Sequence, residues 1–572
     1  MRLSSPSYSF SLLKSLLRHF SSNSNSNLPN LCKIPVKYRS QAIKEAQEVI
    51  TDYLHTTRTL PFSYAEYISK NSIYSLSELI SKVQFSSINF RKSFQKFLRY
   101  NPINEFGFFY ESIGIDYVKI DTFLKPNVHF FTDDYIVLDV ACTLAGLGFP
   151  WNKLGKLYVE QVSIFKKEPQ FLVSKFNGLL AMGFSNEQVV GICLAFPCLL
   201  KGEEVELNGE FDALLDDFKR VFVDLNLGNH LVQNVDVWYE VCRKVMVFYE
   251  LGIEKGKIGD LISKSISIFV DYPEKDLVEK TEFFCKLGVG KVDVGLLLLS
   301  NPEILGIKFD DRVVSVSGFL NHFGLEEKEL ESLMQIYSYV FDRNTMLNLP
   351  HVLRAMDLHE WFFDKVKGGK YQLLSSYNLS NPDEGEDEDY VQNLEKIKFA
   401  RTYSYSLSKL EIFHGFGFGE NAFTVKLLIS VHGSASGLQE RFNLLLNEGI
   451  QFSKVCKMIS RTPKILNQET DNLKQKIDFL REEVGSSLDF LETFPAYLMY
   501  NLEKRIKPRY RFHVWLTKQG WCSRNYTLSS IIAISHKGFI AQLSCIHPTA
   551  PQIWLERCGQ KKKTSAPQKN VS

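Results

Sequence analysis

The densest chemistry in this chain is a run of cations near its C-terminal end: Lys504, Arg505, Lys507, Arg509 and Arg511, with Glu503 as the nearby acid. Guanidinium forks and ammonium groups suit phosphate oxygens, which accept several charge-assisted hydrogen bonds at once. A helix ending near Pro508 projects Lys504 and Arg505 to one side. Pro508 then opens the next helix with Arg509 and Arg511 near its start, where free N–H groups also favour an anion. Arg461 and Lys464 flank Pro463 in a similar setting upstream. Basic residues recurring at such corners form a stripe that tracks a nucleic-acid backbone. The same spacing also fits a solvated helix face, or Arg505 paired with a neighbouring carboxylate.

Catalysis finds no comparable support. The chain has no H-E-x-x-H, no G-x-S-x-G and no phosphate-binding glycine-lysine-serine loop. Gly415-Phe-Gly417-Phe-Gly419 places its third glycine one residue early for a dinucleotide loop, and no strand pattern precedes it. His351 and His359 gather no ligand cluster. The acidic run Asn381–Asp389 lacks the ligand spacing of a calcium loop and reads as a solvated loop. No catalytic residue, metal or cofactor is expected. The cysteines sit in apolar contexts, as at Cys193, Cys285 and Cys456, and read as core thiols of a reducing compartment. No run of 18 apolar residues predicts a membrane span. Net charge is only +2, so local distribution of charge must carry any reading of nucleic-acid binding.

The elements that position these residues announce themselves by repetition. Gly183 and Pro197, Gly288 and Pro302, and Gly449 and Pro463 share one interval within one apolar frame. The glycine supplies a left-handed corner after a first helix. Ser185 then sits where an N-cap would open the second helix, with Val189, Val190, Ile192 and Cys193 on its buried side. The proline stops that helix and starts a short third one. The frame extends to Gly114, Gly148, Gly252, Gly324, Gly417, Gly485 and Gly520. Neighbours stand 32 to 36 residues apart, except across gaps of 69 and 93. The first gap predicts one degenerate unit and the second an insertion. Pro495 follows Gly485 early. A fixed period of this length predicts a helical solenoid.

The unit reads Leu-Gly-hydrophobe, ten residues of helix, Pro-x-Leu-Leu or Pro-x-Ile-Leu. At these residues, and above all at Arg461-Thr-Pro463-Lys464-Ile-Leu, Phe494-Pro495-Ala-Tyr-Leu and Leu502-Glu-Lys504-Arg505-Ile-Lys507-Pro508-Arg509-Tyr-Arg511, the chain resembles the mitochondrial transcription termination factor (mTERF) family. The resemblance spans residues 100–520. It implies an all-α superhelical solenoid, right- or left-handed, of units with two helices and a short third. It further implies a non-enzymatic, monomeric, organellar factor of plant type. Such a factor binds double-stranded DNA in transcription termination or regulation. The alternatives are an RNA-processing or intron-splicing factor working with transcription or splicing machinery, and a protein-interaction solenoid. The resemblance favours phosphate contact at Arg505 and Arg509 over the other cations.

Outside the array, the first acidic residue is Glu45, and basic, serine-rich residues precede it. Leu12, Leu13, Leu16, Leu17 and Phe20 form one helical stripe. Arg18-His-Phe20-Ser21 resembles a mitochondrial processing site. Residues 1–26 therefore read as a transit peptide, mitochondrial rather than chloroplast or dual. Residues 27–100 read as a helical cap, 101–520 as the array with the acidic insertion at 380–390, and 521–572 as a basic, partly disordered extension.

Overall fold

A helix that must reverse direction within two residues needs one residue in the left-handed region, and glycine enters it without a Cβ clash. The computed structural model describes residues 31, 33–201, 210–224, 227–229, 231, 233–262, 265–309, 313–377, 387–399, 403–522 and 526–563. The chain divides into two units, residues 1–274 and 275–572, and each is built from helices. All ten framed glycines have positive φ, between 69° and 101°. At most of them the same two backbone bonds close the corner. Gly417 N–H reaches the His414 carbonyl and Phe418 N–H the Phe413 carbonyl; likewise Gly449 N–H reaches Leu446 and Ile450 N–H reaches Leu445. This bond pair is the Schellman closure, and it brings the side chain after the glycine back onto the helix just left. Ile115, Phe149, Ile253, Leu325, Phe418 and Ile450 are accordingly buried.

The second and third helices follow the expected logic. Ser185 accepts from Gln188 N–H, and the Gln188 side chain accepts in return from Ser185 N–H, so both orphan donors at the start of Asn186–Ala195 are satisfied. Val189, Val190, Ile192 and Cys193 are fully buried. Before each proline the chain leaves the helical region in the same way: Phe196, Asn301, Thr462 and Phe494 have φ between −127° and −141°. Proline crowds the residue ahead of it and forbids another helical turn. Pro197, Pro302, Pro463 and Pro495 each then open a short 3-10 helix whose Leu, Ile or Tyr side chains are buried.

The two gaps differ in kind. Among the described residues, the 69-residue gap holds the helix Glu210–Lys219, a π turn Arg220–Asp224 and a 3-10 turn Leu227–Asn229, less than a full unit. The 93-residue gap holds a complete unit that the glycine frame does not reveal. Leu349–Ala355 is its first helix, His359–Lys367 its second, and Lys370–Gln372 with Leu373–Ser376 its third. Its corner residue is Asp357, with φ of 59°, closed by Asp357 N–H to Arg354 and Leu358 N–H to Leu353. A two-stranded antiparallel ladder, Val313–Ser315 with Arg343–Thr345, is a small departure from all-α structure.

The flanking segments are helical too. Val36–Arg58, Phe62–Asn71, Ile73–Ser81 and Phe90–Tyr100 precede the array. After Gly520 the structure differs from a fading tail. Leu528–Ala533, His536–Ile546 and Ala550–Lys563 form helices, and Phe512, Leu516, Ile531, Phe539, Leu543 and Trp554 share one core. The expected transit segment, most of the acidic run and residues 564–572 lie outside the described residues. The end of the acidic run is helical: Asp387 caps the helix Glu388–Lys398 by accepting from Tyr390 N–H, and it also accepts from Ala422 N–H. Among the described residues no single helix is long and apolar enough to cross a membrane. The bent pair Pro169–Ala181 and Asn186–Ala195 turns through 116° at the Gly183 corner.

The corners can be tested separately. A Cβ at Gly183 would meet nothing within 4 Å, whereas one at Gly114 would collide with the Asn152 carbonyl oxygen. Gly183→Ala should cost only the backbone term, about 1–2 kcal/mol. Gly114→Ala should cost about 1–3 kcal/mol more, from the forced shift. Asp357→Gly should be neutral or stabilising by up to about 1 kcal/mol. Urea unfolding of the three variants measures all three differences.

Candidate nucleic-acid interface

The basic run near the C-terminal end lies on one helical stretch, not across a break. Asn501 caps it by accepting from Lys504 N–H at 2.7 Å. A π turn, Leu502–Ile506, runs directly into the helix Lys507–Lys518, with Pro508 inside the first turn. The free N–H groups expected at Pro508 are therefore absorbed by a continuing helix. Arg505 and Arg509 stand one turn apart and share a face.

That face meets the end of the helix Leu528–Ala533. Arg505 donates from Nε to the Ile532 carbonyl at 2.9 Å, and from Nη2 to Ala533 and Ile534 at 3.0 and 2.8 Å. Arg509 donates from Nη1 to Ile531, Ile532 and Ile534 at 3.1, 3.3 and 2.6 Å. A helix C-terminus leaves carbonyls without partners and carries partial negative charge, so two guanidinium groups are a strong closure. Arg509 is only 4% exposed, with its guanidinium 4.6 Å from the Phe539 ring centre. Burial first, and then the nearby Arg505, pull its pKa down to about 10, which leaves it cationic at neutral pH. These bonds give both arginines a structural role at the end of that helix. The array end is capped through carbonyls, not through the carboxylate that the alternative reading supposes.

The other cations divide. Lys507 pairs with Glu503, and Arg511 forks onto Glu483 at 2.7 and 2.6 Å. Arg461 donates to the Glu492 carbonyl at 2.9 Å while remaining exposed. On the same helix, Lys454 and Lys457 pair with Asp489 and Glu492 of the following unit. Lys464 and Lys504 are exposed, and their ammonium groups make no ion pair among the described residues. A basic stripe at successive corners is not built, because the positions matching Lys464 are Cys198, Glu303 and Ala496.

A further set of cations is not singled out by the sequence reading. Lys244, Lys280, Lys409 and Lys476 lie in first helices and are all buried. Lys244 donates to the Phe269 and Tyr272 carbonyls, Lys409 to Val431, and Lys476 to Leu498 and the Gln468 side chain. Each of these three ties a first helix to the chain near the end of its own unit. The signal is one of phase: Lys244, Lys280 and Lys409 each stand eight residues before a corner glycine, and Lys476 nine before Gly485. Burial pulls the Lys476 ammonium down to about 8.

Left-handed corners in one frame, proline-opened third helices and lysine ties define a helical-repeat protein whose recurrent chemistry is internal architecture, with no catalytic constellation among the described residues.

The chain belongs to the mTERF family. The mTERF family model matches residues 230–357 and 426–540. An Arabidopsis thaliana protein, transcription termination factor MTEF18, mitochondrial, is 47% identical over 530 residues, covering 93% of this chain and 95% of its own length. Transcription termination factor MTERF8, chloroplastic, of the same plant is 22% identical, covering 64% of this chain and 74% of its own. The chain is thus a plant organellar member of a family of non-enzymatic nucleic-acid-binding factors.

Two outcomes test the site. Arg509→Ala should lower unfolding stability by about 2–4 kcal/mol, because it strands buried carbonyls. Arg505→Ala should cost about 1–2 kcal/mol. Thermal and denaturant unfolding read both. For Lys476 the folded pKa lies below the unfolded one, so between about 8 and the ordinary lysine value of 10.5 the unfolded chain binds more protons and stability rises with pH. Wild type should therefore gain stability relative to Lys476→Met as pH climbs through that window, in denaturant titrations at matched pH.

Proposed function

We propose that this chain is a mitochondrial nucleic-acid-binding factor that regulates organellar transcription, most directly by gripping double-stranded DNA at sites of termination. The observation that carries this reading is the near full-length similarity to a relative named as a mitochondrial transcription termination factor. A protein clasping the duplex obstructs a polymerase without needing catalysis. Backbone contacts supply affinity, and repeat geometry sets register. Lys464 and Lys504 are two exposed cations of the C-terminal corners that, among the described residues, make no ion pair. Arg461 is exposed and supports them.

A second reading, a protein-interaction solenoid, draws on the pairing of Lys454, Lys457, Lys507 and Arg511 with acids of the array itself. Salt separates the two. Full-chain protein should bind duplex DNA in anisotropy titrations with affinity falling steeply as salt rises. Replacing Lys464 and Lys504 together by Ala should flatten the log–log slope by roughly 2 units, about 0.9 for each lost phosphate contact. Binding that ignores both salt and these substitutions would leave the protein-interaction reading in place.

A further inference from the structure

The helix Phe90–Tyr100 lies outside the residues that the family model matches, and its sequence, FRKSFQKFLRY, carries four cations and no acid. One apolar face of the helix is turned inward: Phe90, Phe94 and Leu98 are buried and Phe97 is half-buried. Arg91 is engaged by acids of the helix Val36–Arg58, reaching Glu48 at 3.0 Å and Asp52 at 3.1 Å. Lys92, Lys96 and Arg99 are different. They recur at four- and three-residue spacing on one exposed face, and among the described residues none forms an ion pair. Seven residues of helix set the outer two about 10 Å apart along the axis.

This stripe ends at a cleft of about 470 Å³, whose walls include Tyr53, Arg58, Gln95, Arg99 and Phe130. Arg58 is held in place there. Its Nε binds the fully buried Glu105 at 2.5 Å, its Nη2 binds the Tyr53 hydroxyl at 3.2 Å, and its guanidinium lies 4.6 Å from the Phe130 ring centre. Glu105 also accepts from the Tyr53 hydroxyl and Phe131 N–H, both at 2.8 Å, so its charge is answered from within. Asp52 also lines the cleft, and Arg91 pairs with it. At the end of the helix the Tyr100 side chain is 76% exposed.

We propose that Lys92, Lys96 and Arg99, with the Arg58 cleft and Tyr100, form a binding site for single-stranded nucleic acid. The cations take successive phosphates, the cleft takes one unpaired nucleotide, and the Tyr100 ring offers a stacking surface for a base. An anionic membrane is the poorer partner, because a helix that binds in the membrane interface needs a free apolar face and this one is buried. A duplex is also the poorer partner, since its stacked bases cannot enter the cleft without unpairing. The inference rests on the reading that the chain binds nucleic acid, and it adds a second contact surface of different specificity.

The test uses the full chain with a labelled single-stranded oligonucleotide, as RNA and as DNA, and the matching duplex. The variant Lys92→Ala/Lys96→Ala/Arg99→Ala should flatten the salt slope for the single strand by roughly 2 units, about 0.7 for each contact, and leave the duplex slope nearly unchanged. Tyr100→Ala should weaken single-strand binding about tenfold. These side chains are exposed, so unfolding curves of all variants should overlay wild type. An unchanged single-strand slope, an equal loss on the duplex, or a loss confined to sedimentation with anionic phosphatidylserine vesicles would overturn the inference while leaving the duplex reading intact. Wild-type protein that binds no nucleic acid at all would overturn both.

Discussion

The left-handed corner at the end of each first helix is the constraint on which the rest of the structure depends. It leaves the chain only one way to turn, and the two backbone bonds that close it fix where the second helix begins. The hydrophobe after the corner is buried because that closure folds it back onto the first helix. Once the second helix is set, the proline ends it, and the 3-10 turn that follows places its own carbonyls within reach of the first helix. Lys476 then closes the circuit by donating to Leu498. In that unit corner, proline and lysine are three parts of one device that closes the unit on itself.

Net charge is small because acids nearly match bases in number, and several of the described cations are used inside the fold. Buried Lys244, Lys409 and Lys476 answer carbonyl oxygens, and surface lysines such as Lys454 and Lys457 answer acids on the next unit. A buried ammonium is costly unless it is fully hydrogen-bonded, so these lysines fix the geometry of the joint more than they add net stability. Clustered carbonyls at a helix end resemble a phosphate in the one respect that matters to a guanidinium: several oxygens converge with partial negative charge. Arg505 and Arg509 meet that description at the helix Leu528–Ala533.

This equivalence marks the limit of what sequence can tell. The repeat is legible because φ at a corner is a local property, and glycine reports it directly. Asp357 is not, because aspartate also tolerates the left-handed region and so breaks the glycine frame without breaking the corner. The sequence shows Arg505 and Arg509 four residues apart but sets them on separate helices. It cannot say which oxygens they meet, since their partners come from residues 531–534, outside the repeat frame. The apparent break at Pro508 compounds the problem: proline suits the first turn of a helix, and here the π turn before it is continuous with that helix. The buried lysines are in phase with the corners, but a lysine on a helix ordinarily reads as solvent-facing, so phase alone does not announce their burial.

Where free cations remain is then no accident of composition. Within the array, cations such as Arg461, Arg505 and Arg509 find carbonyls, and Lys454 and Lys457 find neighbouring acids. A cation stays available to an outside anion only where no adjoining unit presents oxygens to it. Lys464 and Lys504 are exposed and make no ion pair among the described residues. The helix Phe90–Tyr100 meets that condition more fully, because its apolar face packs inward, its one engaged arginine answers the acids of its neighbour, and its remaining cations face away from both. Among the described residues, the cations of this helix thus lie on a surface that its own packing does not use.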